Sequence, residues 1–327
     1  MQSRRLQLGS QPISSRADHW QELWSDPQND GEIMGGLAAR PSLDAIWKSF
    51  LETAALRPDD LVLDIASGAA PIARSAESLP AASRPNFTCV DYAPAALTAA
   101  RTLGARVICC VADANRLPFR PGSFSAVVSQ FGLEYAGAAA FSEAASALRP
   151  GAPLLAVVHV AGGAIALESG ASEQVVAAAL EAGLIRALRD TLAASYDGAP
   201  AGYVNKKREA AFQRTLAAAR SRLVASPPSP GAAILANYAA DMERLAARRF
   251  AFAPEDALGW LQQIEQRLRA YLARLRAMQQ AARSPQDMDE ISTRLAGAGL
   301  VDISFEPVQF RAGDAQGAWR LSARRPA

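Results

Sequence analysis

The chain has 327 residues, half of them hydrophobic, and its 34 basic and 32 acidic side chains leave a net charge of +2. That length and composition support a substantial core in a folded protein. With Lys/Arg runs no longer than short pairs such as Lys206-Lys207 and Arg324-Arg325, the charge balance speaks against nucleic acid or an anionic membrane as a partner.

The N-terminal MQSRRLQLGSQPISS is basic but has no following apolar region, and no stretch supplies the roughly 20 uninterrupted apolar residues of a membrane span. The expectation is a cytoplasmic protein. Within the polar first 40 residues stand two aromatics of buried type, Trp20 and Trp24, followed by a Gly-rich stretch at Gly31 to Gly36. Their helical spacing fits packing against the body of the protein or a flap closing over a ligand. His19, beside Trp20, reads as a surface residue.

From residue 41 to 160 helix and strand patterns alternate at regular spacing, the signature of a parallel sheet with helices on its faces. Five strands are predicted, at 61–66, 86–91, 106–112, 124–130 and 153–159, with Ala-rich helices near 71–79, 93–103 and 138–148 between them. The segment LVLDIASGAAPIA at 61–73 carries the most information. An apolar strand meets an acid, Asp64, and then breaks into small residues that let a ligand approach the backbone, before Pro71 suits the first turn of a helix. An ordinary strand-loop-helix connection favours the same residues. The three cysteines, Cys89, Cys109 and Cys110, fall in strands expected to be buried. An odd count without metal-ligand spacing argues against disulfides or zinc, so inert thiols and no metal are expected.

After His159 the pattern changes. Residues 161–286 hold few strand-like runs, and apolar residues recur at three- and four-residue steps, as in Leu258, Leu261, Ile264, Leu268, Leu272 and Leu275. Breaks at 226–231, near Pro254 and near Pro285 divide this region into four or five amphipathic helices. A helix at 287–298 and two strands, 301–307 and 317–324, follow.

In an open parallel sheet, ligands bind beyond the carboxyl ends of the strands, where strand order reverses. Read together, those ends carry Asp64 and Gly68, Asp91-Tyr92, Asp113-Ala114, Gln130-Phe131 and His159. Asp91, after the second strand, suits two ribose hydroxyls, because one carboxylate accepts two hydrogen bonds. Asp113 could accept from an exocyclic amine while the Ala114 amide donates to a ring nitrogen. Each acid taken alone reads equally as a helix cap or a solvated loop charge.

Five ordered motifs, carried by LVLDIASGAAP, CVDYAPAALTAAR, VADANRLPFRPGSFSAVVSQFGLEY (the third and fourth) and ALRPGAPLLAVV, together with the C-terminal LAGAGLVDISFEPV and WRLSARRP, resemble class I S-adenosylmethionine-dependent methyltransferases acting on small molecules. The resemblance implies an α/β, Rossmann-like, seven-stranded and mostly parallel sheet whose last strand is antiparallel, with a large helical insertion after strand five. It implies S-adenosyl-L-methionine as cofactor, with Asp64, Ala66 and Gly68 framing its methionine and ribose portion. Asp91, with Tyr92, would hold the ribose, Asp113 and Ala114 the adenine, and Gln130 or Phe131 would line the pocket beside the sulfonium. The family commonly shows D-x-G-x-G-x-G, whereas this chain has Asp64, Ala66, Gly68 and Ala70 and keeps only the middle glycine; Ala70 would be strained where φ is positive. The G-x-G-x-x-G of dinucleotide dehydrogenases is absent.

The organisation expected is a flap at 1–40, a cofactor-binding core at 41–160, a helical lid at 161–286 and completion of the core sheet at 287–327. His159, Glu134 and Tyr135 are the candidates for acceptor contact and proton abstraction, since methyl transfer needs a base only when the nucleophile must lose a proton. The expected acceptor is a small molecule, with oxygen ahead of nitrogen or carbon, and the amphipathic helical faces offer an alternative use as a homodimer interface. The competing expectation is a catalytically silent binding or regulatory protein on the same fold.

Overall fold

The structure, a computed structural model, describes residues 20, 21, 23–25, 36–196, 203–310 and 315–327. His19 and Gly31 to Gly35 lie outside the described residues. The chain divides into two compact units, one of Met1–Val158, Pro285–Arg311 and Trp319–Ala327, the other of His159–Ser284 and Ala312–Ala318.

The first unit is built on a sheet whose central strands are short apolar runs and whose last two strands alternate apolar with polar residues. Leu61–Ile65 (β1), Asn86–Asp91 (β2), Val107–Val111 (β3), Ala126–Gln130 (β4), Pro153–His159 (β5), Val301–Val308 (β6) and Ala318–Arg324 (β7) form one seven-stranded sheet in the order β3-β2-β1-β4-β5-β7-β6. The pairs β3-β2, β2-β1, β1-β4 and β4-β5 are parallel, and the last strand is antiparallel. Side chains meet across β6 and β7 in that sense: Ser304 with Ser322 at 2.9 Å, and Glu306 with Arg320 at 2.8 Å. The expected fold class is thus observed.

Strand order reverses between β1 and β4, and both strands are covered on each face. Val62, Leu63, Ile65, Val127 and Val128 are fully buried, as parallel strands flanked by helices should be. The helices of this unit include Gly36–Thr53 (α1), Pro71–Ser75 (α2), Ala96–Arg101 (α3), Leu133–Ala136 (α4), Ala138–Ala147 (α5) and, after the second unit, Pro285–Gly297.

The cysteines correct one expectation. Cys89 in β2 is buried, but Cys109 and Cys110 in β3 are only half-buried, and Ile108 and Val111 are 60% and 50% exposed. The run VICCV is apolar enough for an interior strand, yet β3 closes the sheet at its edge, and strand order is not written in a strand's own composition.

The second unit contains five α-helices among the described residues: Ala164–Glu181 (α6), Leu184–Tyr196 (α7), Lys206–Ala225 (α8), Pro230–Ala247 (α9) and Pro254–Ala281 (α10); Pro285–Gly297 is α11. Their boundaries follow local chemistry. The Asn205 side chain accepts from Arg208 N to cap α8, and Ser229 accepts from Ala232 N ahead of Pro230 at the start of α9. The apolar stripe read in α10 is buried at Leu261, Ile264, Leu268, Leu272 and Leu275. Leu261, Ile264 and Leu268 join Phe212, Leu188 and Met242 in a core belonging to this unit alone. Among the described residues no helix is long and apolar enough to cross a membrane.

Candidate functional site

The loop leaving β1 takes a left-handed conformation at every second residue, with φ of 54° at Ala66, 54° at Gly68 and 56° at Ala70. Ser67 N donates to Val90 O at 2.9 Å and Ala70 N to Ser67 O at 2.8 Å, curling the backbone into the start of α2 at Pro71. An L-residue loses about 1–2 kcal/mol in this region of backbone space, and the chain accepts that strain at two alanines. Phe131, directly after β4, is left-handed too, at 51°. Three of the five non-glycine residues with positive φ among the described residues, Ala66, Ala70 and Phe131, therefore sit at the carboxyl ends of β1 and β4, where strain is retained when a site requires it.

Asp91 holds this loop to the end of β2. Its Oδ2 accepts from Gly68 N at 2.9 Å and its Oδ1 from Ala93 N at 2.9 Å, which, with the backbone bond from Tyr92, leaves the carboxylate acceptor capacity for a further donor. Burial raises its pKa above the ordinary carboxylate value, against the lowering effect of the bonds from Ala93, Gly68 and Tyr92. Asp64, at the end of β1, is 1% exposed, and among the described residues neither of its oxygens has a hydrogen-bond donor. Burial first, and the Asp91 charge second, push its pKa well above the ordinary value.

The remaining strand ends differ in character. Asp113 is exposed, and its Oδ1 accepts from Asn115 N at 2.9 Å and Asn115 Nδ2 at 3.1 Å, while Asn115 Nδ2 also donates to Ala136 O at 3.0 Å. The loop after β3 is thereby tied to the end of α4, and the neighbouring Ala114 is buried. Gln130 Oε1 accepts from the indole Nε1 of buried Trp47, in α1, at 2.6 Å. Since an indole nitrogen only donates, this bond fixes which end of the Gln130 amide faces α1. Phe131 N donates to Val157 O at 2.8 Å.

Glu134 and Tyr135 follow in α4. Glu134 is 1% exposed, and the Tyr135 phenol is raised well above its ordinary pKa by burial and then by the Glu134 charge. The Trp20 ring meets Tyr135 edge-on, with centroids 5.1 Å apart.

The structure thus brings Gly68, Asp91 and Ala93 into one bonded cluster, with Ala66 in the same loop and Asp64 close enough to Asp91 to feel its charge. Tyr92 is half-buried beside them. His159 is buried at the end of β5, where the second unit begins, and its carbonyl accepts from Arg283 N at 2.8 Å. Two contacts here had no motif to announce them, Trp47 on Gln130 and Gly132 against Ala66. Trp47 offered only its place as a buried-type aromatic at helical spacing. Gly132 offered only its position just after a strand end. Among the described residues no group of three or more His, Cys, Asp and Glu is placed to hold a metal ion.

Residues 62–151 match the family model described as a methyltransferase domain. That span holds every strand-end residue named above except His159. No curated protein matches the sequence. Among solved structures the chain resembles a possible exported protein from Bordetella parapertussis, at 17% identity over 95% of this chain and 79% of that one, with a TM-score of 0.46. It also resembles a geranyl diphosphate methyltransferase in complex with GPP and sinefungin, at 20% identity over 35% and 44% of the two chains and a TM-score of 0.30. A third is a SAM-dependent methyltransferase from Aquifex aeolicus, at 16% identity over 34% and 62% and a TM-score of 0.30. The chain spans less than two thirds of the latter two.

Proposed function

We propose that residues 62–151, which match the model of a methyltransferase domain, bind S-adenosylmethionine and that the chain transfers its methyl group to a small-molecule acceptor, with an oxygen nucleophile favoured over nitrogen or carbon. The observation that carries the cofactor reading is Asp64, a buried carboxylate at the end of the central strand to which no described residue donates. Such a group is costly to bury, and a ligand bringing an ammonium group to it relieves that cost. The amino-acid end of S-adenosylmethionine carries one.

The other residues fit the same ligand. Asp64, Ala66 and Gly68 are assigned to its methionine and ribose portion, and the acceptor capacity that Asp91 keeps beside its backbone bonds to the ribose hydroxyls, with Tyr92 alongside. The Asp113 carboxylate and the Ala114 amide are assigned to the adenine. Gln130, oriented by Trp47, and Phe131 are assigned to the sulfonium end. Bound there, S-adenosylmethionine supplies an electrophilic methyl group. The chain's own work is alignment, because an in-line displacement depends chiefly on proximity and orientation. Where the acceptor must lose a proton, Glu134, Tyr135 and His159 are the side chains assigned to contact it and to take that proton. The near-neutral charge supports a small acceptor over nucleic acid.

Calorimetric titration with S-adenosylmethionine and S-adenosylhomocysteine tests the reading. Micromolar binding that Asp91→Ala weakens by tenfold or more, about 1.4 kcal/mol, is expected. An intact protein that binds neither ligand overturns it.

A further inference from the structure

Resting on the S-adenosylmethionine reading, we propose that Trp24 is a residue of the cofactor site, an aromatic wall standing over the Gly68 loop. Of the three alternating left-handed positions, 66, 68 and 70, only the middle one is glycine. Backbone conformation does not explain the difference, since φ is 54°, 54° and 56° at the three. What distinguishes residue 68 is its neighbour. A Cβ on Gly68 would stand 2.8 Å from Trp24 Cζ2 and 3.0 Å from Trp24 Cη2, closer than packed atoms tolerate. The indole lies directly on the glycine backbone.

Trp24 is held there by its own segment. Gln21 Oε1 accepts from Ala95 N at 3.1 Å, ahead of α3, and Trp20 meets Tyr135 in α4 edge-on. The segment therefore touches the connections that follow β1, β2 and β4, three carboxyl ends of the sheet, where an open α/β fold receives its ligand. A half-buried indole laid on the one backbone segment built to admit a ligand gives that ligand a large rigid apolar surface at little cost in side-chain entropy.

The experiment compares the full-length wild type with Trp24→Ala and Trp24→Phe, titrated calorimetrically with S-adenosylhomocysteine while indole emission is followed. The wild type is expected to bind with a change in emission. Trp24→Phe should bind within about threefold of wild type but lose most of that change, and Trp24→Ala should bind about tenfold or more weakly. Equal affinities for wild type and Trp24→Ala, or an emission change in Trp24→Phe as large as that of the wild type, overturn the proposal while the cofactor reading stands. A wild type that does not bind removes the cofactor reading and this proposal together. Should Trp24→Ala unfold early, the Trp24→Phe emission difference decides.

Discussion

The methyl group of Ala66 occupies the space that a side chain on Gly132 would need: a Cβ on Gly132 would stand 2.6 Å from Ala66 Cβ, 2.9 Å from Ser129 Oγ and 3.1 Å from Ala66 O. The loops after β1 and β4 meet at the point where strand order reverses, with room for one methyl between them. An alanine where a glycine is usual is thus accommodated by a glycine facing it. Gly132→Ala should destabilise the protein by about 1–3 kcal/mol through overpacking. Ala66→Gly should rescue part of that loss, only part because Ser129 Oγ and the Ala66 carbonyl remain in the way. A double-mutant cycle by denaturant unfolding should return a coupling of roughly 0.5 kcal/mol or more, and additive effects would refute the contact.

Asp64 sets a stability cost against binding. Its folded pKa lies well above the ordinary 3.8, through burial and then the Asp91 charge. For a carboxyl raised in this way, the favourable difference is complete below the ordinary value and is lost as pH rises through the folded one. As pH rises above the ordinary carboxylate value the buried acid therefore becomes a burden, and Asp64→Asn removes it. The variant, still polar but unable to ionise, should be more stable than wild type at pH 7 by about 1.4 kcal/mol or more, the equivalent of one pKa unit. Its advantage should shrink as pH falls toward the ordinary carboxylate value, and it should bind S-adenosylmethionine more weakly. Thermal unfolding across pH checks the sign, and a variant less stable at pH 7 would mean that the carboxylate is already well satisfied.

Much of this architecture is legible in the residue pattern. The apolar runs ending at Asp64, Asp91 and Gln130 become β1, β2 and β4 with nearly the expected limits, and the three- and four-residue spacing of Leu261, Ile264 and Leu268 becomes the buried stripe of α10. The possibility of strain at Ala70 could be read from its place in the loop, because the family's pattern puts glycine there, and its φ is positive. What the pattern could not supply depends on strand order and on contacts between distant segments. The half-exposed β3 reads as an interior strand until its edge position is known. Trp47, Trp24 and Gly132 act through partners far along the chain, at Gln130, Gly68 and Ala66, and each pairing is dictated by the packed fold rather than by local spacing.

The Trp47–Gln130 bond should be worth more than its single donor suggests. Trp47 is 1% exposed and packs edge-on against Phe50, with ring centroids 6.3 Å apart. Trp47→Phe keeps an aromatic ring in α1 but removes the donor to Gln130 Oε1, leaving that carbonyl without its 2.6 Å partner. A loss of about 1–3 kcal/mol in stability is expected, together with weaker S-adenosylhomocysteine binding as the Gln130 amide loses its fixed orientation. Unchanged stability in urea would show that the bond contributes little.

In the helical unit the sharpest prediction concerns an asymmetric ion pair. Arg249 Nη1 donates to Glu209 Oε2 at 2.8 Å, with the arginine side chain 8% exposed and the glutamate 26%. The Tyr196 hydroxyl donates to the Arg249 carbonyl at 2.8 Å, so the pair joins α8 to the segment after α9 beside the end of α7. Removing one member of a buried pair is costly chiefly because it strands the other charge. Glu209→Gln leaves the more deeply buried cation without its counter-charge, whereas Arg249→Met leaves a carboxylate that water still reaches. Glu209→Gln should therefore be the more destabilising, by about 3 kcal/mol against about 1–2 for Arg249→Met, with the double variant Glu209→Met/Arg249→Met close to wild type. Chemical denaturation of the four proteins gives the ranking, and a larger loss in Arg249→Met than in Glu209→Gln would reverse the assignment of which charge depends on the other.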